Sequence, residues 1–132
     1  MKNTYELLIR EFHLDTFGHV NNATYLQIYE EARWELISSR GFDLKFIKKS
    51  GLGPVILDVH LKFMKELGLR EKIQITTELV DYEGKVGHLL QKMVKVDQSI
   101  ASEALFTFAL FDTQARKLVP PTPEWKYAIG MP

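Results

Sequence analysis

One segment constrains the fold of this chain more than any other. Between Ala23 and Arg40, apolar side chains recur at helical spacing. Tyr25, Tyr29, Ala32 and Leu36 follow one another at steps of four, three and four, flanked by Leu26, Ile28 and Ile37. A helix over this span is roughly 27 Å long at about 1.5 Å per residue. The other strongly patterned segments, later in the chain, alternate with a period of two. A lone long helix with an apolar stripe must be covered, and a curved antiparallel sheet wrapped around it is the economical solution. The expected class is α+β.

The flanking signals fill in the order of elements. Residues 4–13 have strand composition, with Tyr5, Leu7 and Ile9 on one face and Glu6 and Arg10 on the other. Asn21 or Asn22 suits the helix N-cap and Gly41 its C-terminal stop. Residues 42–50 read as a short second helix or an ordered loop. Alternation returns with Val55, Leu57, Val59, Leu61 and Phe63 on one face and Asp58, His60 and Lys62 on the other, and breaks at Leu67-Gly68-Leu69-Arg70. Ile73, Ile75, Thr77 and Leu79 mark the next strand. Turns at Glu83-Gly84-Lys85 and Asp97-Gln98-Ser99 lead into strands over 86–96 and 100–112. The last is apolar on both faces, so it should be interior to the sheet. Short turns favour hairpins over parallel crossovers. Pro120, Pro121 and Pro123 should end the regular structure.

Composition narrows function mostly by exclusion. The 132 residues suit one domain, 1–132, with a real core. Seventeen basic side chains balance seventeen acidic ones, so no electrostatic case exists for nucleic acid or a membrane surface. The chain has no Cys, which removes disulfides, thiolate metal sites and Cys nucleophiles. No His pair has the helical i, i+4 spacing of a zinc site, so no metal is expected. The first residues lack an apolar signal region and no apolar run approaches bilayer length, so a cytoplasmic location is expected.

The chemistry concentrates just ahead of the helix. His13-Leu-Asp15-Thr-Phe-Gly18-His19-Val-Asn21-Asn22 sets a carboxylate before a helix start. The first N–H groups of a helix lack internal partners and carry partial positive charge, so they can hold a developing oxyanion while a carboxylate activates or performs an attack. The structural alternative for Asp15 is a capping or turn residue, the commoner fate of Asp at such a position.

The stretch from Asp15 through Gly18-His19-Val20-Asn21-Asn22 to Tyr25-Leu26, followed by Glu30-Glu31-Ala32-Arg33-Trp34, resembles the hotdog-fold acyl-CoA thioesterases. The likeness is to the 4-hydroxybenzoyl-CoA thioesterase branch, among its bacterial long-chain acyl-CoA thioesterases, and it covers nearly the whole chain. It implies a central helix wrapped by a curved sheet of five or more strands, chains paired edge to edge as a homodimer or homotetramer, and sites at the interface. It also implies hydrolysis of medium to long fatty or 3-oxo-acyl thioesters with no cofactor beyond the coenzyme A of the substrate. Carried over, Asp15 is the base or nucleophile, the Asn22 backbone the oxyanion donor, Gly18 the turn residue and Tyr25 the aromatic of the first helical turn. Some relatives carry His where Asn22 stands, so no imidazole acts there in this chain.

His19 reads equally as a supporting hydrogen bonder or a partly buried loop residue, while His13 and His60 read as strand residues with satisfied rings. Asn21 is expected beside the substrate, and a cap can also shape the oxyanion site. Glu30 and Glu31 read as solvated or interface-pairing, since Asp15 fills the carboxylate post. No Gly-rich phosphate loop exists, so Lys65, Arg70 and Lys85 at strand ends are expected to meet the coenzyme A phosphates. Two rivals stand beside the hydrolase. A hydratase or dehydratase of the same fold would need a His–acid pair, and a non-catalytic acyl-CoA binding module would have no use for Asp15.

Overall fold

A computed structural model of the chain describes residues 2–132. It contains β1 (Lys2–Leu8), a 3₁₀ turn (Glu11–His13), α1 (Asn22–Ser39), α2 (Leu44–Ser50), β2 (Leu52–Phe63), β3 (Lys72–Glu83), β4 (Val86–Val94), β5 (Ile100–Asp112), β6 (Lys117–Val119) and α3 (Pro123–Ala128). The strands form one antiparallel sheet in the order β1-β3-β4-β5-β2, with β6 continuing beside β5. The α+β expectation, with a long helix against a curled sheet, is met. β5 is interior, paired on both sides, as its two apolar faces demand.

The register makes rows of side chains that run across the sheet toward α1. One row is Tyr5, Ile75, Met93, Ser102 and Phe63; the next holds Thr77, Gln91, Ala104 and Leu61; a third holds Leu79, Leu89, Phe106 and Val59. Tyr25, Ile28, Tyr29, Ala32, Leu36 and Ile37 of α1 are buried, so the stripe read from spacing is the core face. Polar ties fix the helix along these rows. The Tyr29 hydroxyl donates to Ser102 Oγ (2.8 Å), which donates to the Lys62 carbonyl (2.9 Å). Gln91, fully buried, donates to Thr77 Oγ1 (2.9 Å) and the Tyr29 carbonyl (3.2 Å), and accepts from Arg33 Nη1 (3.0 Å). The Arg33 guanidinium lies over the Phe106 ring, 4.3 Å from its centroid. Burial pulls its pKa down to about 10.

Several expectations are corrected. β1 ends at Leu8, and the run to His13 closes as a 3₁₀ turn, because Ile9 pairs instead with Glu71 and Arg70 through backbone bonds. His13 is therefore a turn residue, and His60 lies exposed on β2. β2 does not hairpin with β3. It crosses to the far edge of the sheet and pairs with β5, which offers it an apolar neighbour. A bulge at Leu57, between Ile56 and Asp58, breaks the simple alternation, so Val55 and Val59 do not share a face. The proline-rich end does not stop regular structure. Thr122 caps α3 through its side chain, Pro123 occupies the first turn where its missing N–H costs nothing, and Trp125 and Ala128 are buried. Asn21, not Asn22, is the α1 cap, and the chain turns at Gly41 with φ +92°.

Gly87 shows how tightly the sheet packs near α3. A Cβ there would stand 2.6 and 2.8 Å from Phe108 ring atoms and 2.8 Å from the Tyr82 ring. Gly87→Ala should cost about 1–3 kcal/mol through overpacking, read as a lowered denaturation midpoint in urea or heat. An unchanged midpoint would contradict this packing.

Candidate active site

The loop from Leu14 to Val20 is a closed hairpin. Leu14 and Val20 form an isolated antiparallel bridge. Inside it the Asp15 N–H donates to the His19 carbonyl (2.8 Å) and the Gly18 N–H to the Asp15 carbonyl (3.1 Å). Gly18 sits at φ +84°, in the left-handed region that favours glycine, so its role in the tight turn holds. Asp15 Oδ1 accepts the Phe17 N–H (2.8 Å) and, longer, the His19 N–H (3.4 Å). The second carboxylate oxygen takes no partner among the described residues. The side chain lines an open cleft of about 380 Å³.

The opposite wall is the start of α1. Asn21 is extended at φ −63° and ψ 142°, and its side-chain oxygen accepts the Ala23 N–H (2.9 Å). Its carbonyl accepts the Thr24 N–H (2.9 Å). The Asn22 N–H, first of the helix, therefore takes no acceptor among the described residues, and Asn22 lines the same cleft. An uncapped N–H at a helix start is a ready oxyanion donor. Tyr25, one turn on, forms part of the floor, 4% exposed and edge-on to Phe63 with centroids 5.0 Å apart. Burial raises the Tyr25 pKa, with Glu66 and Glu71 adding to it, so the phenol stays neutral.

The structure brings Asp15, Asn21, Asn22, Tyr25 and Lys65 together in one cleft. Gly18 shapes the loop beside it. His19 turns outward: its Nε2 lies 3.1 Å from Glu66, in a pair whose side chains are 43% and 77% exposed. Solvent screening leaves such a pair worth little energy, but with the His19–Gly68 bridge and the Val20 N–H to Leu67 carbonyl bond (2.9 Å) it ties the loop to the segment after β2. Arg70 lies outside the cleft lining, paired with Glu11 at 3.1 Å on the surface. Lys85 is placed far from Asp15 within the chain. It follows β3, whose twelve residues lead away from the site over roughly 40 Å of strand.

Sequence reasoning missed the second wall, Phe63, Met64 and Glu66. Only the pairing of β2 with β5 and the crossing of residues 64–71 bring it there, and neither has a local signal. A groove continues along α1. Leu26, Gln27 and Glu30 face Ile56, Val59 and Phe106 across about 250 Å³, and Arg33 and Trp34 lead on toward Trp125 and Ile129. Glu31 is no free carboxylate, since it accepts the Tyr5 hydroxyl in a short bond that raises the Tyr5 pKa to about 12. Among the described residues, no three His, Cys, Asp or Glu side chains cluster in a way that could hold a metal ion. None of the described helices is long and apolar enough to cross a membrane.

Comparison with known proteins places the fold. The chain is 31% identical over 114 residues to the long-chain acyl-CoA thioesterase FadM of Escherichia coli K12, covering 85% of each chain. It superposes on the crystal structure of YbaW, a probable thioesterase from Escherichia coli, with a TM-score of 0.83 and 27% identity, over 95% of this chain and 94% of that one. A Staphylococcus aureus protein, SAV2348, solved in complex with CoA, shares the fold at a TM-score of 0.91 and 21% identity, over 98% of this chain and 82% of that one. Residues 11–129, from the 3₁₀ turn through α3, match the thioesterase-like superfamily, and the chain belongs to that hotdog-fold family.

Proposed function

We propose that this chain hydrolyses acyl-CoA thioesters of medium to long fatty or 3-oxo-acyl chains to the free acid and coenzyme A, with no cofactor. The observation that carries the reading is the pairing of a half-free carboxylate, Asp15, with an uncapped helical N–H, Asn22, across one cleft. The thioester carbonyl sits between them. In one route Asp15 takes a proton from water as its oxygen attacks the carbonyl carbon; the Asn22 N–H holds the oxyanion. The C–S bond then breaks and the thiolate leaves, taking up a proton as free coenzyme A. In the other, an Asp15 oxygen attacks the carbonyl carbon, the C–S bond breaks to expel the thiolate, and water then opens the mixed anhydride to the free acid and the Asp15 carboxylate, its proton passing to the thiolate. Both use the same two groups. The neutral Tyr25 hydroxyl is a further donor in the cleft. The acyl tail follows the groove along α1 past Leu26 and Phe106 toward Trp34, where the lining is mostly apolar.

Asp15→Asn keeps shape and hydrogen-bonding reach but loses the basic, nucleophilic oxygen. A thiol-release assay should read a fall in kcat of at least ~10²-fold with an unchanged circular dichroism spectrum. Turnover close to wild type would remove Asp15 from the mechanism.

Lys65 is the basic side chain of the cleft lining and supports the phosphate-binding reading there. Lys65→Ala should raise KM for acyl-CoA several-fold with kcat nearly constant, the mark of uniform binding. The effect should fade with added salt and vanish for a thioester truncated before the nucleotide. An unaltered KM would move the phosphates elsewhere, with Arg70 and the partner's Lys85 next to test.

The active form is proposed to be a homodimer or a homotetramer built from it. β2 is hydrogen-bonded on one side only, and its free edge carries Ile56, Leu57, Val59 and Phe63, which are 37–53% exposed. A long apolar edge invites pairing with a second copy, and that edge borders the groove along α1. Sedimentation at micromolar concentration should give twice or four times the chain mass of 15.3 kDa. An active species at the chain mass would refute the paired site.

A further inference from the structure

His13 connects to both halves of the cleft, through its ring at the turn and through its backbone at the helix cap. His13 closes the 3₁₀ turn reciprocally. Its N–H donates to the Arg10 carbonyl (3.0 Å), and its ring Nδ1 accepts the Arg10 N–H (2.8 Å). The His13 carbonyl accepts the Asn21 N–H (3.1 Å), and Asn21 caps α1. Leu14 then enters the bridge with Val20, and Asp15 follows. Thus the carboxylate lies two residues past His13 along the chain, while the Asn22 N–H lies one residue past the group that His13 clamps. His13 is 6% exposed, and its ring packs on Phe12 with centroids 4.4 Å apart. Accepting at Nδ1 requires the neutral ring with its proton on Nε2.

We propose that His13 is a positioning residue for the reaction: its neutral ring holds Asp15 and the Asn22 N–H in register, and protonation of the ring releases both. This rests on the reading that Asp15 and Asn22 act on the thioester. Protonation converts Nδ1 into a donor aimed at the Arg10 N–H, donor against donor, at the one buried residue of the turn. Three influences bear on the ring. Burial disfavours the cation most, Glu31 on α1 favours it, and Arg10 on the same segment disfavours it, which leaves the pKa below the ordinary 6.5. Glu31 is in turn held by the Tyr5 hydroxyl from β1. With a lowered pKa in the folded chain, the clamp is complete above the ordinary value and is lost as pH falls through the lowered one. Activity should therefore decline on the acid side as the ring takes up its proton.

The test joins NMR titration of the ¹⁵N-labelled full chain to thiol-release kinetics across pH. The amides of Asp15, Asn21 and Asn22 should shift with the same midpoint as the His13 ring. His13→Asn supplies an acceptor oxygen near Nδ1 that does not titrate. It should keep kcat within about threefold near neutral pH, abolish the amide step and hold its activity further into acid. His13→Ala should lose about ten- to a hundredfold in kcat with KM nearly constant, the scale of a misplaced catalytic group. Amides that ignore the ring, or an acid limb unchanged in His13→Asn, would overturn the proposal even if His13→Ala fails to fold. Coupled amides in a wild-type chain that turns over no thioester would instead sink the hydrolase reading and leave the coupling standing.

Discussion

The contact between α1 and the concave face of the sheet sets every other position in the molecule. Fully burying one large apolar side chain is worth about 1.5–3 kcal/mol, and α1 buries Tyr25, Ile28, Tyr29, Leu36 and Ile37 together. A net hydrogen bond contributes about 0.5–1.5 kcal/mol. Packing therefore decides that the helix lies in the sheet, and the Tyr29–Ser102 and Arg33–Gln91 bonds decide how far along it the helix sits. With that set, the helix start stands beside Phe63 at the end of β2. The N–H of Asn22 opens there onto a cleft instead of being covered by sheet.

The loop before α1 uses this placement. It returns on itself through the Leu14–Val20 bridge, and Glu66, Leu67 and Gly68 brace it from outside. Inside the loop the Phe17 N–H holds one oxygen of Asp15, and Asp15 lines the cleft. Polar groups cluster at this end, while the groove beyond Tyr25 becomes apolar along Leu26, Val59 and Phe106. A polar head and an apolar tail suit a substrate built the same way, with the reacting bond at the junction.

Local patterns carried much of this into the sequence. The α1 stripe, the Gly18 turn, the Asn21 cap and the hairpin turns of β3–β4–β5 each depend on residues close in the chain, so spacing and turn chemistry expose them. What escaped is non-local. The pairing of β2 with β5 joins Phe63 to Ser102 across a long stretch of chain, and no residue in β2 announces its partner. The Leu57 bulge reverses a face without a glycine or proline to mark it. Lys65, Arg70 and Lys85 look alike as basic residues near turns. The path of the strands puts Lys65 in the cleft, Arg70 beside Glu11 and Lys85 at the far end. The proposed pair of Asp15 and the Asn22 N–H was legible because eight consecutive residues, 15–22, hold both halves.

The central claim is that the reacting carbonyl meets the helix start at Asn22. A non-hydrolysable acyl-CoA thioether, titrated into the ¹⁵N-labelled protein, tests it most directly. The account predicts the largest amide shifts at Asp15, Asn21, Asn22 and Tyr25, with a smaller trail along α1. Shifts concentrated instead at the outer-face groove of about 420 Å³ lined by Glu6, Lys72 and Gln98, with Asn22 unmoved, would contradict it.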